Sequence, residues 1–276
     1  GRPVHFHSSD MQRDARALED LRDAYFRAGF ATVDFLPEPE AAALAAPGSG
    51  RMLIVDIGGG TSDFTLCDKT GDSTKILASR GIRLGGTDAD RILSLSHAMP
   101  LMGYGGLIGD EFGGKYHPAP RALFQDLASW EKIAFLYDPA LLRDVRRWAR
   151  VAAKPELFDR LATVLDMHLG HDVAYAVEAG KIAANATLVT RISLDVVERG
   201  LGVALDQGAL TKDLSDFAAA IGAEALATLR DAECSPEDVR QVVFVGGSSL
   251  LHPVRDALSR AFPEAHQVDA RVFTAV

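Results

Sequence analysis

A mixed α/β fold of about two domains is predicted for this chain by three observations. Two segments, Leu53-Ile54-Val55-Asp56-Ile57-Gly58-Gly59-Gly60-Thr61-Ser62-Asp63 and Val242-Val243-Phe244-Val245-Gly246-Gly247-Ser248-Ser249, each read as a buried-type strand running into glycines and a hydroxyl residue. Three strand candidates follow one another from Arg51, at Met52 to Ile57, Asp63 to Asp68 and Thr74 to Ile82, with glycine-bearing turns between them. Such a succession marks an antiparallel meander. The middle of the chain shows mainly helical periodicity instead.

Taken in order, Asp10 to Ala28 carries Met11, Ala15, Leu18, Leu21, Ala24 and Tyr25 at helical spacing, with Ser8, Ser9 and Asp10 as cap candidates and Gly29 as the stop. A strand is expected at Val33 to Leu36, then Pro37-Glu38-Pro39 and a short Ala-rich helix from Glu40 to Ala46 that ends at Pro47-Gly48. After the three strands, Asp88 to Ala98 reads as a helix. Pro100 to Pro120 is Gly-rich and aperiodic, a long loop of the kind that is either mobile or functional. Helices are expected at Arg121 to Tyr137, Leu141 to Val151, Pro155 to Gly170 and His171 to Ala186, the last two continuous or abutting. Val189 to Val196 alternates as a strand. Leu205 to Cys234 is mainly helical, Val242 to Val245 is the last strong strand, and a helix follows from Leu250 to Phe262.

Composition narrows the function. With 276 residues, 47% hydrophobic and 24% charged, the chain has ample material for a core. A net charge of −9 with scattered Lys and Arg argues against a nucleic-acid partner. The basic cluster from Arg143 to Arg150 alternates with Leu, Val and Trp, as the wet face of a helix does. No apolar run is long enough for a transmembrane helix, so no membrane partner is expected. Cys67 and Cys234 are isolated, which fits a reducing cytoplasm. The termini look like a strand end and a truncated helix start, so a fragment of a longer protein is expected.

The first glycine segment has the chemistry of a phosphate site. Gly58, Gly59 and Gly60 let a polyphosphate touch the main chain, and Thr61 adds a hydroxyl donor. Asp56, at the strand's carboxyl end, suits a metal-bound or attacking water, because phosphoryl transfer rests on positioning and charge neutralisation. Asp63 supplies a second carboxylate past the turn. The competing explanation is a tight hairpin whose glycines serve only the turn.

These residues resemble a known family. The string LIVDIGGGTSDFTL resembles the second phosphate loop of actin-like ATPases, and of the Hsp70 nucleotide-binding domain in particular. VVFVGGSSLLHPVRDALSRAFP is similar to the Hsp70 adenosine motif, PEPEAAALA to the connecting segment, and RLGGTDAD to the turn that opens the outer subdomain of the second lobe. GRPVHF, AMPLMGYGG and AVEAGKIAANAT are similar to the YegD-type group of Hsp70-like chaperones. The resemblance covers nearly the whole chain and is weakest between Leu107 and Arg160.

The resemblance implies site residues one by one. Asp56, with Thr61 and Glu38, matches the catalytic and metal-water positions; Gly58, Gly59, Gly60 and Thr61 match the loop around the terminal phosphates; Asp63 matches a second carboxylate near the metal. Glu38 matches the glutamate that orients a metal-bound water. Gly246, Gly247 and Ser248 match the turn under the ribose and α-phosphate, aided by the following helix N-terminus. Glu178 and Lys181 match residues that reach the ribose and adenine; on sequence spacing alone they are a solvated ion pair on one helix face. Where typical members hold adenine between two arginines, this chain has Ile182 and Leu250, which forgo guanidinium stacking.

The architecture implied is a ribonuclease-H-like actin/Hsp70 ATPase fold, mainly its second lobe. Residues 1–48 would be a remnant of the first lobe and the linking helix, 49–84 plus 191–276 the nucleotide-binding inner subdomain, and 85–190 an outer, mainly helical subdomain. ATP or ADP with Mg2+ is the implied cofactor, with a client or co-chaperone as partner and a cytoplasmic location. The family's first phosphate loop and its upstream catalytic lysine have no match in these 276 residues, so little hydrolysis by them alone is expected. A small-molecule kinase or phosphatase and an actin-like filament protein are the alternatives within the same superfamily, since fold does not fix function. The pairs His5/His7 and His168/His171 read as ordinary histidines rather than metal ligands, and Trp130 and Trp148 as core or interface anchors.

Overall fold

A computed structural model describes residues 11–36, 48–71, 73–110 and 114–270. The expectations for the first ten residues and for the segment from Pro37 to Pro47 lie outside these residues. Two compact units are present: Gly1–Gly86 with Asp216–Val276, and Thr87–Ser215. The second boundary falls after Ser215 rather than at the expected residue 190. The strand expected from Val189 to Val196, and assigned from residue 191 to the inner subdomain, instead pairs with Gly202–Asp206 in a separate hairpin, which carries it into the helical unit.

The first unit is built on one five-stranded sheet. Strands β1 (Gly50–Ile57), β2 (Ser62–Thr70) and β3 (Ser73–Ile82) form the antiparallel meander expected from the sequence, with Asp56 opposite Asp63 and Ile57 opposite Ser62. On the other side of β1 lies a late strand, Gln241–Val245, parallel to it, and beyond that His266–Asp269, again parallel. β1 is apolar without alternation because both of its faces are covered. On one face Met52, Ile54, Cys67, Val243 and Val245 form a buried cluster, and Leu53, Val55, Ile57 and Phe64 are buried as well. The Ser215–Asp231 helix is tied to β3 by Arg80, which pairs with Glu224 at 2.5 Å and Asp231 at 2.9 Å. Met11–Arg27 is helical as predicted, but residues 32–36 are not a strand, having no ladder partner among the described residues.

The second unit is mainly helical. Its helices are α2 (Gly86–Leu93, α1 being Met11–Arg27), α3 (Arg121–Leu127), α4 (Pro139–Val151), α5 (Pro155–Asp166), α6 (Gly170–Ala186) and α7 (Gln207–Asp213). Asp138 caps α4 by accepting from the Ala140 N–H at 2.9 Å, with Pro139 at the first helical position. The expected single helix from Asp88 to Ala98 is α-helical only to Leu93 and continues as a wider π turn from Ser94 to Ala98. α5 and α6 are separate, broken at His168, whose φ is +57°. The Gly-rich stretch is not wholly irregular: Met99–Met102 is a 3-10 turn, and Leu107–Gly109 (β4) pairs with Tyr116–Pro118 (β5). Val189–Ser193 (β6) pairs with Gly202–Asp206 (β7), and Gly180 of α6 lies so close to Ile192 that a Cβ there would come within 2.6 Å of it. The arginines at 143, 146, 147 and 150 are exposed on α4, as expected of a wet face.

Candidate nucleotide site

Each glycine turn is positioned by the end of a parallel strand. With β8 as Gln241–Val245, the pairing of Asp56 with Val245 brings the carboxyl ends of β1 and β8 level, the edge where ligands sit in open sheets with parallel strands. The Gly58 N–H donates to the Thr61 carbonyl at 2.9 Å, closing the first turn, and the Gly86 N–H donates to the Gly58 carbonyl at 2.9 Å. The Ser62 hydroxyl donates to the Leu84 carbonyl at 2.5 Å. Together these bonds bring the Leu84-Gly85-Gly86 turn onto the first one.

The three turns meet through glycines. A Cβ on Gly85 would lie 2.5 Å from the Gly59 carbonyl oxygen and 2.8 Å from the Gly60 nitrogen, and one on Gly86 would collide with Ser248 Oγ. Gly246 has φ +79° and ψ 149°, a conformation open essentially to glycine alone, and a Cβ there would strike the Ile57 carbonyl and lie 3.2 Å from Asp56 Oδ1. Ser249, buried, donates its hydroxyl to the Gly246 carbonyl at 2.7 Å and so fixes the second turn. Sequence reasoning singled out Ser248 and passed over Ser249 and Gly86; the repeated Gly-Gly of the RLGGTDAD string was the available signal.

Gly59, Gly60 and Gly247 are different. A Cβ at any of them would meet nothing within 4 Å, and none has a left-handed φ. Neither conformation nor neighbouring atoms require glycine there, whereas a phosphate approaching bare main chain does.

The carboxylates fit a nucleotide-bound cation better than a bare one. Asp56 and Asp63 are register partners on one face of the sheet, Asp63 buried and lying against Gly81 on β3, Asp56 half-buried toward Gly246. No cluster of three or more His, Cys, Asp or Glu suited to a metal exists among the described residues. Mg2+ needs only one or two carboxylates when waters and phosphate oxygens complete its octahedron, so the donor set fits Mg2+ with a nucleotide. Glu38 lies outside the described residues.

The residues that the resemblance assigns to the nucleoside belong to different units, and each is described within its own. Lys181 on α6 is not the solvated residue that spacing alone suggests: it is 4% exposed, with Nζ 2.8 Å from Asp90 Oδ1. The contact is a buried ion pair between the two helices that carry these residues. Burial raises the Asp90 carboxyl above its ordinary range, Lys181 opposes that, and Glu178 adds to it. Glu178 is exposed, three residues before Lys181. Ile182 is 60% exposed, and in the sheet unit Leu250 is 42% exposed, so both apolar replacements lie at the surface. His168 stacks on Tyr137 with centroids 4.1 Å apart, an ordinary packing role.

No family model matches the chain. Among curated proteins it is 30% identical over 265 residues to a "Chaperone protein HscA homolog" of Pseudomonas fluorescens, covering 94% of this chain and 32% of that protein. It is 38% identical over 97 residues to the "Chaperone protein DnaK" of Thermoplasma acidophilum, which covers 33% of this chain and 15% of that protein. A "Chaperone protein HscA homolog" of Burkholderia ambifaria matches at 28% over 265 residues, again 94% of this chain. The chain spans about a third of the length of the relatives it matches along most of its own. Its homologues are Hsp70-family chaperones, and the mixed α/β architecture is compatible with the fold they imply.

Proposed function

We propose that the chain is an ATP-binding domain of an Hsp70-like chaperone ATPase, made chiefly of the second lobe of the actin-like fold and of the YegD-type group. The observation that carries this is the set of glycines, Gly59, Gly60 and Gly247, open at the level ends of β1 and β8 where nothing in the fold requires them. The sequence similarity to HscA and DnaK chaperones supports the same reading.

The turn from Gly58 to Thr61 serves the terminal phosphates through main-chain N–H groups and the Thr61 hydroxyl. Gly246, Gly247 and Ser248 serve the nucleoside end of the phosphate chain. Asp56 and Asp63, with Glu38, would hold Mg2+ through water, and Asp56 would orient the attacking water. Glu178 and Lys181 belong to the sugar and base, with Ile182 and Leu250 giving apolar contact in place of cation stacking. Bound Mg2+ would neutralise charge on the phosphate oxygens. A protein client or co-chaperone would read the nucleotide state through closure of the lobes. No nucleic acid or membrane enters this function; among the described residues no helix is long and apolar enough to cross a membrane.

Calorimetric titration of the 276-residue chain with Mg-ATP and Mg-ADP tests it. Saturable binding is expected, weakened at least tenfold by Asp56→Asn and by Gly247→Val, with little ATP turnover. No binding by the folded chain, or binding untouched by either substitution, would overturn it.

A further inference from the structure

The helical unit contains a cavity of about 270 Å3 that the proposed nucleotide role reaches only through Glu178. One side of it is aromatic. Trp130 and Tyr175 meet edge to face, ring centroids 5.1 Å apart at 75°, with Ala128 and Ala174 beside them. Beside the rings lie two carboxylates, Asp90 from α2 and Glu178 from α6, the latter one turn beyond Tyr175.

The charges of this cavity do not balance. Lys181 is a single cation beside two carboxylates, and it contacts Asp90. That contact, at 2.8 Å, neutralises Asp90, whereas Glu178 is exposed and pairs with no cation among the described residues. A carboxylate without a counter-ion favours a ligand that brings a positive charge. The negative faces of two rings set at a steep angle favour a positive one.

We propose that this cavity binds a small organic cation, an ammonium or guanidinium head lying between Asp90 and Glu178 with its apolar stem against Trp130 and Tyr175. A bare metal ion is a poor match, because the aromatic wall offers it no ligand and no cluster of three metal-ligating side chains exists among the described residues. An anion would meet two carboxylates. A neutral apolar molecule would leave Glu178 without a counter-charge. The volume lies just under the usual range for ligand pockets of roughly 300–1,000 Å3, which limits the occupant to a small molecule. The cavity shares Glu178 with the nucleotide role proposed above, and Trp130, which that role does not use, distinguishes the two.

The test uses the full chain carrying Trp148→Phe, so that Trp130 is the remaining tryptophan. Benzylammonium, agmatine and tetramethylammonium are titrated by fluorescence and calorimetry, with benzyl alcohol as the uncharged match. Saturable binding of a cation is expected, at least tenfold tighter than benzyl alcohol. Glu178→Gln and Trp130→Leu should each weaken it at least tenfold with helical circular dichroism unchanged, while Trp130→Leu keeps ATP affinity within about twofold. Equal binding of benzyl alcohol would overturn the proposal and leave a merely apolar cavity. So would a folded chain that binds none of the three cations up to ~10 mM, or a Trp130→Leu variant that loses ATP instead.

Discussion

At the carboxyl ends of β1 and β8, Gly59, Gly60 and Gly247 place no side chain over the main chain. In the helical unit the polar groups are side chains, a buried Lys181 and the carboxylates of Asp90 and Glu178, set against aromatic rings. The two arrangements have different physical costs. A bare N–H in a glycine turn remains hydrated until a ligand replaces the water, so stability there depends little on the open positions. A buried ion pair gives up hydration on folding, and its value hangs on the partner and the pH. The sheet unit therefore separates glycines that the fold requires from glycines that it does not, whereas in the helical unit the polar pair Lys181–Asp90 is itself part of the fold.

The separation is sharpest at Gly246, and the largest effect is expected there. Its φ of +79° with ψ 149° and its approach to the Ile57 carbonyl leave no room for a side chain. Gly246→Ala should cost roughly 3–4 kcal/mol, from backbone strain of about 1–3 kcal/mol plus steric displacement of the strand end. Denaturant unfolding measures it. A loss below about 1 kcal/mol would show that the strand end yields, and the division drawn between fixed and open glycines would fail.

The next effect probes the helical unit. Burial holds the Asp90 carboxyl above its ordinary range, so the folded chain binds that proton more tightly than the unfolded one. This contribution to stability is complete below the ordinary carboxylate value and is lost as pH rises through the folded value. Removing the opposing charge of Lys181 raises the folded value further and steepens the loss. Lys181→Met should cost roughly 3 kcal/mol at pH 8 and about 1 kcal/mol at pH 5. Equal losses at both pH values would mean that Asp90 is not the group responding.

The same contrast explains how much was legible in the sequence. The meander and the strand before Gly246 were legible because long apolar runs ending in glycine have few other solutions. The turn residues were legible as a set, but not their division into fixed and open glycines, since that depends on which atoms lie within a few ångströms. Lys181 was misread as solvated because its partner Asp90 is ninety-one residues away along the chain. Trp130, read as an anchor, lines the cavity instead, and helical spacing could not reveal a ring that becomes a wall only when Tyr175 meets it. The strand pair Val189–Ser193 and Gly202–Asp206 was half seen: alternation marked the first, but nothing local showed that its partner would be its own hairpin rather than the main sheet.

The smallest expected change in stability is at the open glycines, and it is the most informative about the site. Gly247→Ala and Gly59→Ala add a methyl group where nothing lies within 4 Å and where φ is accessible to any residue. Alanine restricts the unfolded chain more than glycine does, which favours the folded state by about 0.4–1 kcal/mol where no strain opposes it. Thermal unfolding should therefore show unchanged or slightly raised stability. The same methyl group would stand between a phosphate oxygen and the main-chain N–H, so Mg-ATP affinity should fall at least tenfold, about 1.4 kcal/mol. Stability and affinity are thus expected to move in opposite directions at these positions and together at Gly246. If Gly247→Ala destabilises the chain while sparing nucleotide binding, the open glycines belong to the fold after all, and the phosphates lie elsewhere.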